Sequence, residues 1–189
     1  MRQEELEEQG KSKSTAREVL DWILYIGIVL ILSWLIVTFV GVWTVVDGQS
    51  MEPTLQDGNN LIVDKLSYRF RDPKRYEIIV FPYKYEENTY YIKRIIGLPG
   101  ETVQVKNGEV YIDGEILGED YGAEAMEDAG IASEPIELGT DEYFVLGDNR
   151  NHSSDSRDPS VGVLRREDLI GRAWIRIYPF DEMGFVVHE

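Results

Sequence analysis

The chain has no cysteine, which excludes disulfides, zinc–thiolate sites and a cysteine nucleophile. It has only two histidines, His152 and His188, so chemistry that needs a proton acceptor near neutral pH has few imidazoles to draw on. His188, the penultimate residue, is expected to be frayed. Basic residues are scarce as well: 19 Lys and Arg stand against 35 Asp and Glu, a net charge of −16. Binding nucleic acid requires a basic excess to neutralise phosphates, so no nucleic-acid partner is expected. An acidic surface instead keeps the chain soluble beside anionic lipid. No internal repeat is present, and the sequence carries no signal for oligomeric state.

Another absence is local. From Ile23 to Val46 there are 24 residues without a charge. As a helix this run would be roughly 36 Å long, enough to cross the hydrocarbon core of a bilayer with some tilt. A core helix of that length usually shows a polar stripe, and a cleaved signal has a shorter apolar region. The reading is therefore a polar cytoplasmic tail over 1–18, a transmembrane anchor over 19–46, and an outer domain over 47–189. Trp22 and Trp43 fall near the two interfaces, where indole rings settle. Arg2, Lys11, Lys13 and Arg17 precede the span, and the positive-inside tendency places that end in the cytoplasm and the main domain outside. Lys65, Arg69, Arg71, Lys74 and Arg75 lie beyond the span on the other side. Ser50 comes four positions after Val46, within roughly 14 Å of the anchor's end even if the link is fully extended. A side chain tethered so closely meets polypeptides emerging from the bilayer more readily than soluble ones.

Beyond the anchor the pattern is that of strands. Leu61–Leu66, Glu77–Phe81, Tyr90–Ile96, Tyr143–Leu146 and Ile170–Tyr178 are short runs rich in β-branched and aromatic residues, bounded by turn residues. Thr102–Lys106 and Glu109–Ile112 flank Asn107-Gly108, whose positive φ values suit a type I′ hairpin. The segment 115–142 is acidic, with Gly and Ala and no Lys or Arg, and reads as a solvated excursion. Calcium could bind its carboxylates, but the spacing lacks an EF-hand pattern. The fold class is mainly β, an antiparallel-sheet domain following a single N-terminal transmembrane helix.

Three features carry possible chemistry: Ser50 in a turn, Lys93 in an apolar strand, and the polar loop 147–159. Each has an ordinary reading as turn former, edge-strand lysine or connector. Together they suggest more, because a serine hydroxyl attacks a carbonyl only when a group takes its proton. A lysine flanked by Ile92 and Ile95 can do this if burial disfavours its ammonium form. His152 leaves a Ser-His-Asp arrangement open.

Gly48-Gln49-Ser50-Met51-Glu52-Pro53-Thr54-Leu55, Tyr91-Ile92-Lys93-Arg94-Ile95-Ile96-Gly97-Leu98-Pro99-Gly100-Glu101 and Gly147-Asp148-Asn149-Arg150-Asn151-His152-Ser153-Ser154-Asp155-Ser156-Arg157 resemble, in that order, the motif boxes of type I signal peptidases. The single span and compact domain are similar to the Gram-positive bacterial form. The resemblance implies a Ser50 nucleophile and a Lys93 general base, with Ser153 orienting the lysine amine by a hydrogen bond. It also implies structural support from Asp155, paired with Arg94 or Arg157, and from Asp148. No metal or cofactor is implied. Some members carry a hydroxyl residue two positions before the nucleophile as an oxyanion donor; here Gly48 stands there, leaving the backbone N–H of Ser50 and groups of Gly48 or Gln49.

Val46, Met51, Leu55 and Ile92 are the expected lining of shallow apolar pockets for small side chains, in the A-x-A pattern of secretory signals. The implied partners are signal-peptide-bearing preproteins, docked as an added strand, and the lipid bilayer. Two other readings are a self-cleaving Ser-Lys peptidase and a non-catalytic tethered β domain that binds an exported partner.

Overall fold

The uncharged run ends in two kinds of structure. In the computed structural model, which describes the backbone of residues 2–39, 41–122 and 124–188 and the side chains of 17–35, 41–122 and 124–188, helix α1 covers Arg2–Phe39 and strand β1 covers Gly41–Val45. The helix therefore does not reach Val46, as composition had suggested. Val42, Thr44 and Val45 are β-branched, and the strand gains a full ladder against β2 (Asn60–Asp64), from Gly41 opposite Asp64 to Val45 opposite Asn60. Absence of charge cannot distinguish such a strand from the end of a span. Arg17–Leu35 remains long and apolar enough to cross a membrane, and none of it is buried within the protein. The polar stretch expected as a separate tail continues the helix from Arg2; its side chains up to residue 16 lie outside the described residues. Because α1 stops at Phe39, eleven positions before Ser50, the covalent link alone allows roughly 38 Å of reach rather than 14 Å.

From Gly41 onward the chain forms one compact unit. Its remaining strands are β3 (Ile78–Pro82), β4 (Tyr90–Gly97), β5 (Thr102–Lys106), β6 (Glu109–Ile112), β7 (Glu115–Ile116), β8 (Ile136–Glu137), β9 (Glu142–Leu146), β10 (Leu164–Arg165), β11 (Gly171–Tyr178) and β12 (Gly184–Phe185). An eight-stranded antiparallel sheet runs β1-β2-β11-β3-β4-β9-β10, with β12 on β11; a second sheet runs β7-β6-β5-β8. The β5–β6 hairpin turns through Asn107 at φ 53° and Gly108 at φ 82°, as the Asn-Gly pair predicts. β4 lies inside the large sheet, with Lys93 opposite Ile79 of β3 and Arg94 opposite both Ile78 of β3 and Leu146 of β9.

Three apolar clusters hold these layers. One joins Phe81, Ile95, Val145 and Leu164, and a second joins Ile96, Val103, Phe144 and Leu146. The third gathers Val46, Met51, Leu55, Leu61, Ile78 and Val186 beneath the Ser50 turn. The acidic segment is not a solvated excursion throughout: Met126, Ala132 and Leu138 are buried in the second cluster. The chain end is not frayed at His188, whose Nδ1 accepts the Ile78 N–H at 3.1 Å.

Candidate active site

A short turn and a central strand bring Ser50 to Lys93. The turn is closed by the Leu55 N–H donating to the Met51 carbonyl at 2.9 Å, with both side chains fully buried as its floor. The strand fixes Lys93 opposite Ile79 of β3, and the residue is only 3% exposed. Lys93 Nζ donates to Ser50 Oγ at 2.7 Å and to the Ile92 carbonyl at 3.0 Å. When the amine is neutral, the first bond can reverse so that Oγ–H donates to the nitrogen lone pair. Burial pushes the amine down from its ordinary range to about 8, against the carboxylates of Asp155 and Asp148, which pull it up.

Those carboxylates are themselves held by arginines. Asp148 accepts from Arg94 Nε at 2.8 Å and Nη2 at 2.6 Å, with both side chains almost wholly buried. Asp155 accepts from Arg157 Nε and Nη2, each at 2.9 Å, and from the Gly147 N–H at 3.0 Å. Of the two partners considered for Asp155, the structure selects Arg157. Adjacent strand residues face opposite ways, so Lys93 turns to the cleft while Arg94 anchors the loop from behind.

Ser153 does not orient the lysine as expected. Its Oγ is buried without a hydrogen-bond partner among the described residues, and the bonds of Lys93 Nζ go to Ser50 and Ile92. Ser153 packs against Gly147: a Cβ there would lie 2.2 Å from Ser153 Oγ and 2.5 Å from the Ser50 carbonyl oxygen. Only glycine permits that approach. The Asn149 N–H donates to the Ser50 carbonyl at 3.1 Å and its Nδ2 to the Gln49 carbonyl at 3.1 Å, so the loop grips the nucleophile turn through backbone. The Gly48 N–H is taken by Asp57 Oδ1 at 2.9 Å and is not free for an oxyanion, whereas the Ser50 N–H has no acceptor among the described residues.

A cleft of about 310 Å³ opens over the pair, lined by Val46, Gln49, Ile92 and Tyr90 among others. Of the four expected pocket residues, Ile92 and Val46 line this cleft, Val46 while also packed in the third cluster, whereas Met51 and Leu55 are core alone. Full burial beneath the turn removes them from the surface that a side chain could touch. His152 is exposed at the cleft and makes no hydrogen bond to Ser50 among the described residues. The sequence reading assigned no role to Asp57, Asn149, Arg150, Tyr91 or Tyr121. Asn149 and Arg150 stood within a quoted motif, but nothing local showed that one reaches the Ser50 turn and the other is buried.

Residues 19–178 match the family described as Signal peptidase, peptidase S26. The chain belongs to this family. It is 40% identical over 184 residues to signal peptidase I of Bacillus amyloliquefaciens, covering 94% of this chain and 96% of that one. It is 43% identical over 158 residues to probable signal peptidase I-2 of Synechocystis sp., covering 80% and 70%. A crystal structure of a signal peptidase I from Enterococcus faecalis is 34% identical, covering 54% of this chain and 97% of that one at a TM-score of 0.46. The family match takes in all three motif stretches and most of α1 beyond the polar start.

Proposed function

We propose that this chain is a membrane-anchored serine endopeptidase that removes N-terminal signal peptides from exported preproteins, cutting after small residues in the A-x-A pattern. The observation that carries this reading is the 2.7 Å contact between Ser50 Oγ and a lysine amine kept almost entirely from water. In the first step neutral Lys93 takes the Oγ proton as Oγ bonds to the scissile carbonyl carbon. The resulting ammonium gives that proton to the leaving amide nitrogen as the C–N bond breaks, leaving an ester on Ser50. Water then attacks the ester carbon, Lys93 takes a proton from it, and return of the proton to Oγ frees the acid and restores the dyad.

The oxyanion is held by the Ser50 N–H, with the exposed Gln49 side-chain amide as the second donor in place of the hydroxyl that Gly48 lacks. Substrate lies as an extended strand along the cleft edges that Val45–Val46 and Tyr90–Ile92 supply, with small side chains admitted beside Val46 and Ile92. Asp148, Asp155, Arg94 and Arg157 act as scaffold for this chemistry, and Ser153 fills space against Gly147. The anchor spans the cell membrane with its N-terminal end in the cytoplasm and the β domain outside. Three substitutions made separately in the whole chain test the reading: Ser50→Ala and Lys93→Ala each abolish cleavage of a precursor with an A-x-A site, while His152→Ala leaves it largely intact. Loss of turnover in a folded His152→Ala protein, with retention in Lys93→Ala, would transfer the base role to the imidazole.

A further inference from the structure

The buried arginines behind the cleft are covered from a single stretch of the acidic segment. The Tyr121 ring lies over Arg94, with the guanidinium carbon 3.7 Å from its centroid, and packs on Tyr76 at 5.0 Å. Two residues earlier, Glu119 accepts from Arg150 Nη2 at 2.6 Å, both side chains being almost inaccessible. Gly122 brings the backbone close against Arg150: a Cβ there would stand 3.1 Å from Arg150 Cγ. A segment that composition assigns to solvent is therefore fitted to two arginines of the catalytic motifs.

Arg94 is the more consequential of the two. Its edges are occupied by Asp148, by the Tyr76 carbonyl at 3.0 Å and by Thr54 Oγ1 at 3.3 Å. Thr54 belongs to the Ser50 turn, and Asp148 precedes Asn149, whose N–H holds the Ser50 carbonyl. One guanidinium thus ties the nucleophile turn to the loop behind the lysine, and Tyr121 closes its flat face by cation–π contact. We propose that Tyr121 is a positioning residue for the Ser50/Lys93 dyad, its ring excluding water from the Arg94–Asp148 pair and so fixing loop and turn on either side of the lysine. This rests on the dyad reading given above.

The groups facing Lys93 are Ser50, the Tyr91 ring at 5.1 Å, and the carboxylates of Asp148 and Asp155, with His152 on the same cleft. Those facing Tyr121 are Arg94, Asp148, Asp120, Tyr76 and the His188 carbonyl, which accepts its hydroxyl at 3.4 Å. If water reaches Arg94, the guanidinium neutralises Asp148 less completely, and the loop that Asp148 anchors loosens on the other face of the strand and lets water to the amine. Both changes favour the ammonium and move the acid limb of kcat/KM to higher pH.

The test is the pH profile of kcat/KM for full-length wild type, Tyr121→Ala, Tyr121→Phe and Ser50→Ala in detergent on a precursor peptide. Tyr121→Ala is expected to raise the limb by roughly half a unit to one unit, an activity loss of about 3–10-fold below it that closes at high pH. Tyr121→Phe keeps the covering ring and is expected to restore the wild-type limb. A smaller folded fraction would lower activity equally at every pH and leave the limb in place, so an unshifted limb in Tyr121→Ala overturns the proposal. If Tyr121→Ala does not fold, Tyr121→Leu keeps the bulk but not the flat face; an upward shift there supports the proposal and a wild-type limb overturns it. Cleavage that survives Ser50→Ala, or a wild-type profile without an acid limb, would instead remove the dyad reading itself.

Discussion

Lys93 pays for its reactivity in stability. At pH values between about 8 and its ordinary 10.5 the folded chain holds fewer protons on this amine than the unfolded chain, so stability rises with pH across that window. At neutral pH the buried ammonium costs on the order of 3 kcal/mol, because each unit of depression is about 1.4 kcal/mol. Replacing it with methionine, which fills similar volume without charge, should raise the thermal midpoint at pH 7 by several degrees while eliminating cleavage. Calorimetry on the folded variant checks this, and a midpoint lowered by the substitution would mean that the amine is not under such a burden. The same depression sets activity: at pH 7 roughly a tenth of Lys93 is neutral, so log kcat/KM should climb with unit slope to a plateau above about pH 8. A profile flat from pH 5 to 9 would contradict a lysine base, provided that chemistry limits the rate.

At the scale of elements, the C-terminal segment supports the site from beneath. Val186 is buried with Met51 and Leu55, and His188 Nδ1 satisfies the N–H of Ile78, the residue paired with Arg94 in the sheet. Ending the chain after Phe185 removes a buried valine and strands a backbone donor, a loss of about 3 kcal/mol measurable by denaturant unfolding. Stability within 0.5 kcal/mol of the full chain would show that the segment is a passive tail.

Much of the sheet was readable in advance. Alternating or continuous β-branched runs marked β2, β3, β4, β9 and β11, and Asn107-Gly108 marked a hairpin whose φ values the backbone then adopts. Ser50 and Lys93 were readable because a serine in a turn and a lysine in an apolar strand are each slightly out of place, and a shared motif order links them. What escaped depended on distant partners. β1 is β-branched enough to be a strand, but only the ladder against β2 distinguishes it from the end of an apolar helix. Met126 and Leu138 lie in an acidic background that hides their burial, as it hides the contact of the Tyr121 ring with Arg94. Met51 and Leu55 look like pocket residues from their nearness to Ser50, yet the turn folds them inward. Asp57 capturing the Gly48 N–H is a contact across nine positions that no local pattern announces.

The whole molecule combines an apolar helix with an acidic, independently packed β domain. Among the described residues, the contacts of the Ser50–Lys93 pair all come from residues after Gly41, so removing α1 leaves them in place. A chain beginning near Gly41 should therefore cut a soluble precursor peptide at a rate within about threefold of the full chain's. It should lose at least tenfold on a precursor held in vesicles, where the substrate is confined to the surface that the anchor shares. Equal rates on vesicle-bound precursor would show that tethering contributes nothing. The most direct test of the central claim is mass analysis of a precursor with one A-x-A site after incubation with wild type, Ser50→Ala and Lys93→Ala. A single cut after the second small residue by wild type alone is the predicted result; the same cut by either folded variant would contradict a serine nucleophile activated by this lysine.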